Sequence, residues 1–279
     1  AGDSGVGKSS LCRAGVLSRV QAGDLGDGRT WRVVTMFPGK RPVSTLADVL
    51  AGPLDRPSEA LRQDLLTQPA ECVRRMHRTA GARTGLLLFI DQLEELITQS
   101  DREEAAALGE VLGHLLARGP GVRVLCTARG DFLTRLAELP GLGADLQRTL
   151  YILRSLDRDG LQEAIVGPAE VGGVQFESQS LIEELVESTL RTEGGLPLLQ
   201  FALAELWHAR DVRTQCITAQ ALAALGGVSG ALSRHADRVI ADLLPAGRQA
   251  ARHLLTKLVS SEGMRLRRTA EEIRTWSPA

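Results

Sequence analysis

Apolar positions run through this chain in two rhythms, one for each half. In the first half, short apolar runs alternate with helical stripes. An apolar-periodic stretch from Ser10 to about Ala22 predicts a helix. Trp31 to Phe37 reads as a strand closed by Pro38-Gly39. Residues 43–51 and 57–80 have helical spacing, punctuated by Pro53, Pro57 and Pro69. Gly85 to Asp91 is a continuous apolar run, as expected of a strand covered on both faces. Between Arg102 and Arg118, the residues Leu108, Val111, Leu112, Leu115 and Leu116 fall on one stripe, and Gly119-Pro120-Gly121 breaks the helix. Val122 to Thr127 is the next predicted strand and Thr149 to Leu153 another. Strands alternating with helices predict βαβ units and a parallel sheet with helices on both faces.

After about residue 155 the rhythm changes. Leu161–Ile165, Ser180–Leu190, Leu198–Arg210, Ala231–Leu244 and Gly247–Val259 all have helical spacing, and the next strand-like stretch is 264–269. The expected division is an α/β unit over 1–155, a helical domain over 156–228 and a winged-helix-like domain over 229–279. The glycines at 226, 227 and 230 mark the second break.

Composition narrows the function classes. The 279 residues carry a net charge of −1, without the basic surplus of a free-standing nucleic-acid binder. No apolar run approaches the roughly 20 residues of a membrane span. Cys12, Cys72, Cys126 and Cys216 are scattered, with no metal-ligand spacing, which suits free thiols in a reducing cytoplasm. Lysine occurs only at Lys8, Lys40 and Lys257, and asparagine is absent. Both biases follow from a GC-rich, bacterial base composition.

The chemistry is concentrated in the opening residues. Gly2 to Ser9 (GDSGVGKS) fits G-x-x-x-x-G-K-[ST], placed directly before a predicted helix. Glycines let backbone N–H groups converge on phosphate oxygens, and the helix N-terminus adds partial positive charge. Gly2, Gly5, Val6, Gly7, Lys8, Ser9 and Ser10 are therefore the expected phosphate-binding set. Lys8 would reach the β- and γ-phosphates, and Ser9 would ligate Mg²⁺. Such a loop hangs from a buried strand, and that strand is expected upstream of residue 1.

Asp91, at the end of the apolar run Leu86 to Ile90, stands where Mg²⁺ is held. Asp91-x-x-Glu94 is also a capping-box-like helix start, and the two readings are compatible. Gln92 occupies the place where many such ATPases carry a catalytic glutamate, and an amide is no base. Glu94 is the expected water-polarising acid, with Glu95 as its alternative. Arg129, at the tip of the strand Val122–Thr127, is a candidate sensor of the γ-phosphate, against a plain reading of Arg129 as solvated and Asp131 as a helix cap. Without asparagine the guanine-reading N-K-x-D motif is impossible, which favours ATP over GTP. The chain has no G-x-S-x-G and no HExxH, and Arg265 to Arg268 reads as a solvated face.

Six segments together carry a family likeness: GDSGVGKSSLCRAGVL at 2–17, WRVVTMFPG at 31–39, LLLFIDQLEELIT at 86–98, RVLCTARGDFLTRLAELPGL at 123–142, GGLPLLQFALAELW at 194–207 and LGGVSGALSRHAD at 225–237. Across nearly its whole length the chain resembles the novel STAND NTPase 1 group of bacterial signal-transducing ATPases. The resemblance implies an ASCE-type P-loop core followed by helical and winged-helix domains. It implies Lys8 and Ser9 as phosphate and Mg²⁺ ligands, and Asp91 as the Walker B acid. It implies Glu94 as the water-polarising acid, Arg129 as the sensor arginine and Pro197 as the proline packing against the nucleotide. It further implies a switch that is closed with ADP and opens or assembles with ATP. An effector or DNA-binding module would lie upstream and a repeat array, commonly a WD-repeat propeller, downstream. A winged-helix regulator acting on DNA and a nucleotide-bound scaffold without turnover are the alternatives.

Overall fold

The computed structural model describes residues 1–80, 83–116, 121–192, 194–259, 266, 268, 270–274 and 276. Two compact units divide the chain, Ala1–Leu156 and Asp157–Ala279.

The first unit is built on a parallel sheet in the order β1 (Thr30–Met36), β2 (Thr84–Ile90), β3 (Val122–Cys126). Thr30 lies opposite Thr84 and Met36 opposite Ile90; Leu86 lies opposite Val122 and Ile90 opposite Cys126. Every residue of β2 after Thr84 is buried, because helices cover both faces of this central strand. Period two sends Leu87 and Phe89 one way, where they join Cys12, Leu17, Val20 and Trp31 in one cluster. Leu88 and Ile90 alternate with them and face the other side of the sheet, where the helices Pro42–Leu54, Pro69–Ala80 and Arg102–Leu116 bury Leu46, Leu50, Met76, Leu108 and Leu112. The expected helical stretch 57–80 is two helices, Ser58–Thr67 and Pro69–Ala80, because Pro69 cannot donate the bond that would continue the first. The expected break at Gly119-Pro120 lies outside the described residues.

Beyond β3 the sheet continues as a lane. Gly2 N–H donates to Ala128 O (3.2 Å), Gly130 N–H to Gly2 O (3.1 Å) and Leu153 N–H to Ala1 O (2.8 Å). Ala1 and Gly2 therefore run between the extension of β3 and residues 151–153. A cavity of about 240 Å³ opens there, lined by Val124, Cys126, Leu146, Leu150 and Leu153 among others. The strand expected at 149–153 is not formed as such. A helix, Gly143–Thr149, runs to Thr149, and 150–156 carries no strand assignment beyond its bond to Ala1. Tyr151 and Ile152 are 75% and 61% exposed.

The second unit is helical, with starts written in its capping residues. Asp157 accepts from Gly160 N–H, Ser178 from Leu181 N–H and Thr218 from Ala221 N–H. Leu161, Ile165, Leu185, Leu199, Leu206, Leu222 and Val228 share one apolar core. This unit also holds a parallel pair, β4 (Gln175–Phe176) and β5 (Cys216–Ile217), which corrects the expectation of no strand before 264. Two-residue strands are too short to leave a period in the sequence. Most of the strand-like stretch 264–269 lies outside the described residues, as do Arg265 and Arg267.

Candidate functional site

The glycine-rich loop is a tight bend feeding directly into a helix. Gly5 (φ 79°) and Gly7 (φ 92°) are left-handed, a conformation that side chains resist. Gly2 answers a different need, since a Cβ there would meet Leu153 O at 2.6 Å. The helix runs as Lys8–Ser10, a π-helical stretch Leu11–Leu17, and Ser18–Gln21. Val6 is buried and Ser10 exposed. Lys8 Nζ curls over the loop and donates to Gly2 O (2.8 Å) and Asp3 O (2.6 Å). Burial holds the ammonium below its ordinary pKa, with Glu94 pulling the other way.

Asp91, 1% exposed at the end of β2, is reached from three directions. Ser9 Oγ donates to its Oδ1 (2.7 Å), and Thr127 Oγ1 donates to the same oxygen (2.6 Å). Arg13 donates from Nε and Nη2 to Oδ2 (3.3 and 3.1 Å). The capping-box reading of Asp91 is not what forms. The short helix Glu95–Thr98 starts at Glu94 with no side-chain cap. Gln92 between them is left-handed (φ 60°), and its N–H donates to Thr127 Oγ1 (2.9 Å). A non-glycine residue held there stores about 1 kcal/mol or more, a cost usually met at functional sites.

The two glutamates diverge. Glu94 Oε2 accepts from Arg129 N–H (3.2 Å), and its carboxyl is pushed above its ordinary pKa by burial, opposed by Lys8 and Arg129. Glu95 Oε2 accepts from Gly39 N–H (3.0 Å) and secures the turn after β1. Arg129 is clamped by Asp131 through two bonds, Nε to Oδ1 (3.0 Å) and Nη2 to Oδ2 (2.6 Å). Asp131 thus grips Arg129 instead of capping a helix. That grip raises the guanidinium pKa and holds the Asp131 carboxyl below its own ordinary value. Pro197 lies in the other unit, exposed on the first turn of the helix Gly195–Ala209.

Loop, lysine, hydroxyl and buried acid thus meet at the C-terminal end of a parallel sheet, where open α/β sheets bind their ligands. A sequence profile of the family described as Novel STAND NTPase 1 matches residues 1–277. The chain belongs to that family. Its fold is that of a P-loop nucleoside triphosphatase. No curated protein sequence matches this STAND chain. Among solved structures it is similar to the Aeropyrum pernix ORC1 protein in complex with DNA, with a TM-score of 0.57 at 14% identity, over 98% of this chain and 74% of that one. It is also similar to the Aeropyrum pernix ORC2 protein in ADPNP–ADP complexes, with a TM-score of 0.54 at 14% identity, over 98% and 70%. At that identity the likeness concerns the fold.

The donor set suits Mg²⁺ held together with a nucleotide. Mg²⁺ takes one or two carboxylates, water and phosphate oxygens, not an all-protein cage. Among the described residues no group of three or more His, Cys, Asp or Glu could hold a metal, whereas Ser9 and Asp91 already touch. No described helix is long and apolar enough to cross a membrane.

Sequence reasoning missed Arg13 and the part of Thr127 in holding Asp91. A signal for Arg13 existed, since it lies four residues after Ser9 and so on the same helical face.

Proposed function

We propose that this STAND chain binds ATP or ADP with Mg²⁺ and acts as a signalling switch that hydrolyses ATP slowly. The observation that carries the reading is the convergence of Lys8, Ser9, Asp91, Glu94 and Arg129, from three separate loops, on one end of the sheet. Gly2, Gly5, Val6, Gly7, Lys8, Ser9 and Ser10 would cradle the phosphates. Ser9 and Asp91 would hold Mg²⁺, Asp91 through water. The metal, when bound, neutralises phosphate charge and fixes the phosphate oxygens.

Glu94 is the better placed of the two acids. Its partners are Lys8 and the tip of β3, while Glu95 is committed to Gly39. Held above its ordinary pKa, its carboxyl has raised basicity when ionised, which suits accepting a proton from the attacking water. Arg129 would leave Asp131 to meet the γ-phosphate, a contact only the ATP state offers. Exchanging a half-exposed ion pair for a charged phosphate is a differential contact of the required kind. A full reversal of a two-state population, from 1:99 to 99:1, takes about 5.5 kcal/mol in all. Gln92 in place of a second acid beside Asp91 supports slow turnover.

The proposed whole is a helical domain over 156–228 and a winged-helix-like domain over 229–279. Pro197 packs against the nucleotide in the closed ADP state, and the ATP state self-associates. An upstream effector and a downstream repeat array complete a cytoplasmic protein. The direct test is ATP binding by the full-length protein. Lys8→Ala should weaken it by at least about 100-fold, the loss expected when two or more charge-assisted bonds to phosphate disappear. Unchanged affinity would remove the loop from the site.

A DNA-acting regulator is the second reading, favoured by the likeness to the ORC1 protein in complex with DNA. The net charge of −1 counts against it. Steeply salt-dependent binding of the full-length protein to duplex DNA would support it.

A further inference from the structure

Arg13 is placed in the site with no task in the reading above. It leaves the helix from the π-helical stretch Leu11–Leu17, and wide turns of this kind are rare and cluster at functional sites. Its guanidinium grips Asp91 Oδ2 and lies 5.2 Å from the ring centre of Phe37 and 5.7 Å from that of Phe89. The pair is asymmetric: the Asp91 side chain is 2% exposed, that of Arg13 45%. The other two donors to Asp91, Ser9 and Thr127, are hydroxyls and bring no charge. Among the described residues, Arg13 is the one cation in salt-bridge contact with the acid.

We propose that Arg13 is a resident counter-ion of Asp91 that competes with Mg²⁺, so that loading the metal with the nucleotide displaces Arg13. The proposal rests on the reading of the chain as a Mg²⁺–nucleotide binder. Its physical basis is charge balance. A buried carboxylate without a cation is strongly unfavourable, so Asp91 keeps one at all times. A guanidinium and a dication at a single carboxylate repel each other, so each weakens the other's hold on it. Arg13 is the partner able to leave, because its outer half already meets solvent and rehydrates at little cost. Its departure would also be felt in the core. Cys12 and Leu17, on the same wide turn, pack with Trp31, Leu87 and Phe89 of the sheet. Arg13 is thus a positioning residue that links metal occupancy to the helix following the loop.

The test uses the full-length protein and a fluorescent ADP analogue. Its affinity is measured with excess Mg²⁺ and with EDTA, and the ratio of the two reports the metal's contribution. Arg13→Gln should raise that ratio roughly two- to tenfold, the span of a partly exposed charge-assisted pair. Arg13→Lys, which keeps the charge and loses the planar fork, should stay near wild type. A ratio that is unchanged or lower in Arg13→Gln overturns the proposal, since Arg13 would then only buttress Asp91. A lysine variant that behaves like the glutamine variant overturns it too. If Arg13→Gln does not fold, Phe37→Leu, which removes one ring beside the guanidinium, should give a smaller rise; no rise overturns the proposal. Wild-type protein that binds the analogue under neither condition overturns the nucleotide reading and this inference together. Binding with no effect of Arg13 overturns the inference alone.

Discussion

At Glu94 two demands act on one carboxyl group. The proposed chemistry wants a base beside the triphosphate, and the fold wants no bare charge in a buried position. Burial sets the sign, because it moves the folded pKa above the ordinary value of 4.5 despite Lys8 and Arg129. An acid whose folded pKa is raised contributes stability below its unfolded pKa, and that contribution is lost as pH rises through the folded value. Above the ordinary value, at pH 7, burial of Glu94 is therefore a net cost to folding. Glu94→Gln should raise Tm at pH 7 by roughly 2–4 °C, the shift expected for ~1 kcal/mol in a domain of this size, with the gain vanishing near pH 4. The same variant should bind ATP and release no phosphate. A lower Tm at pH 7 would mean that the neighbouring cations outweigh burial, and phosphate release at the wild-type rate would remove Glu94 from the chemistry. Lys8, Ser9 and Asp91 were legible in the sequence because short motifs encode them. Thr127 was not, since no motif includes it, and Arg13 left only its place four residues after Ser9, on the same helical face.

Among elements, the contact between the helix Arg102–Leu116 and the turn after the helix Leu133–Ala137 is a close test of packing. Gly141 is left-handed (φ 81°), and a Cβ on it would stand 2.4 Å from Gly109 O. A Cβ on Gly113 would stand 2.8 Å from Gly141 Cα. ELPGL, the end of the 123–142 segment that carries part of the family likeness, is thus a backbone-to-backbone contact and touches none of the bonds around Asp91. Gly141→Ala should cost about 2–4 kcal/mol, from left-handed strain plus overpacking, read as a lowered urea midpoint at unchanged slope. A loss below 0.5 kcal/mol would show that the turn can move away. Elements with long, regular patterns were legible, and β2 most clearly, because burial on both faces writes an unbroken apolar run. Residues 149–153 were read as a strand from their apolar content. That content instead ends one helix and lines the cavity beside Ala1 and Gly2. The pair β4–β5 left no trace, because two residues cannot show a period.

For the molecule as a whole, the family match over residues 1–277 and the parallel sheet agree on a P-loop nucleoside triphosphatase. The chain itself supplies a loop closed by its own lysine and a buried acid, Asp91, already paired with an arginine. On the proposed reading both contacts open as nucleotide enters and re-form as it leaves. On that reading, a switch that hydrolyses ATP slowly rests on its product. The most direct test is therefore the content of the protein as it is made. Full-length protein, purified without added nucleotide, is denatured and the supernatant resolved by chromatography. The account predicts ADP in stoichiometric amount. Protein that releases no nucleotide, and that fails to take up ATP supplied with Mg²⁺, would contradict it.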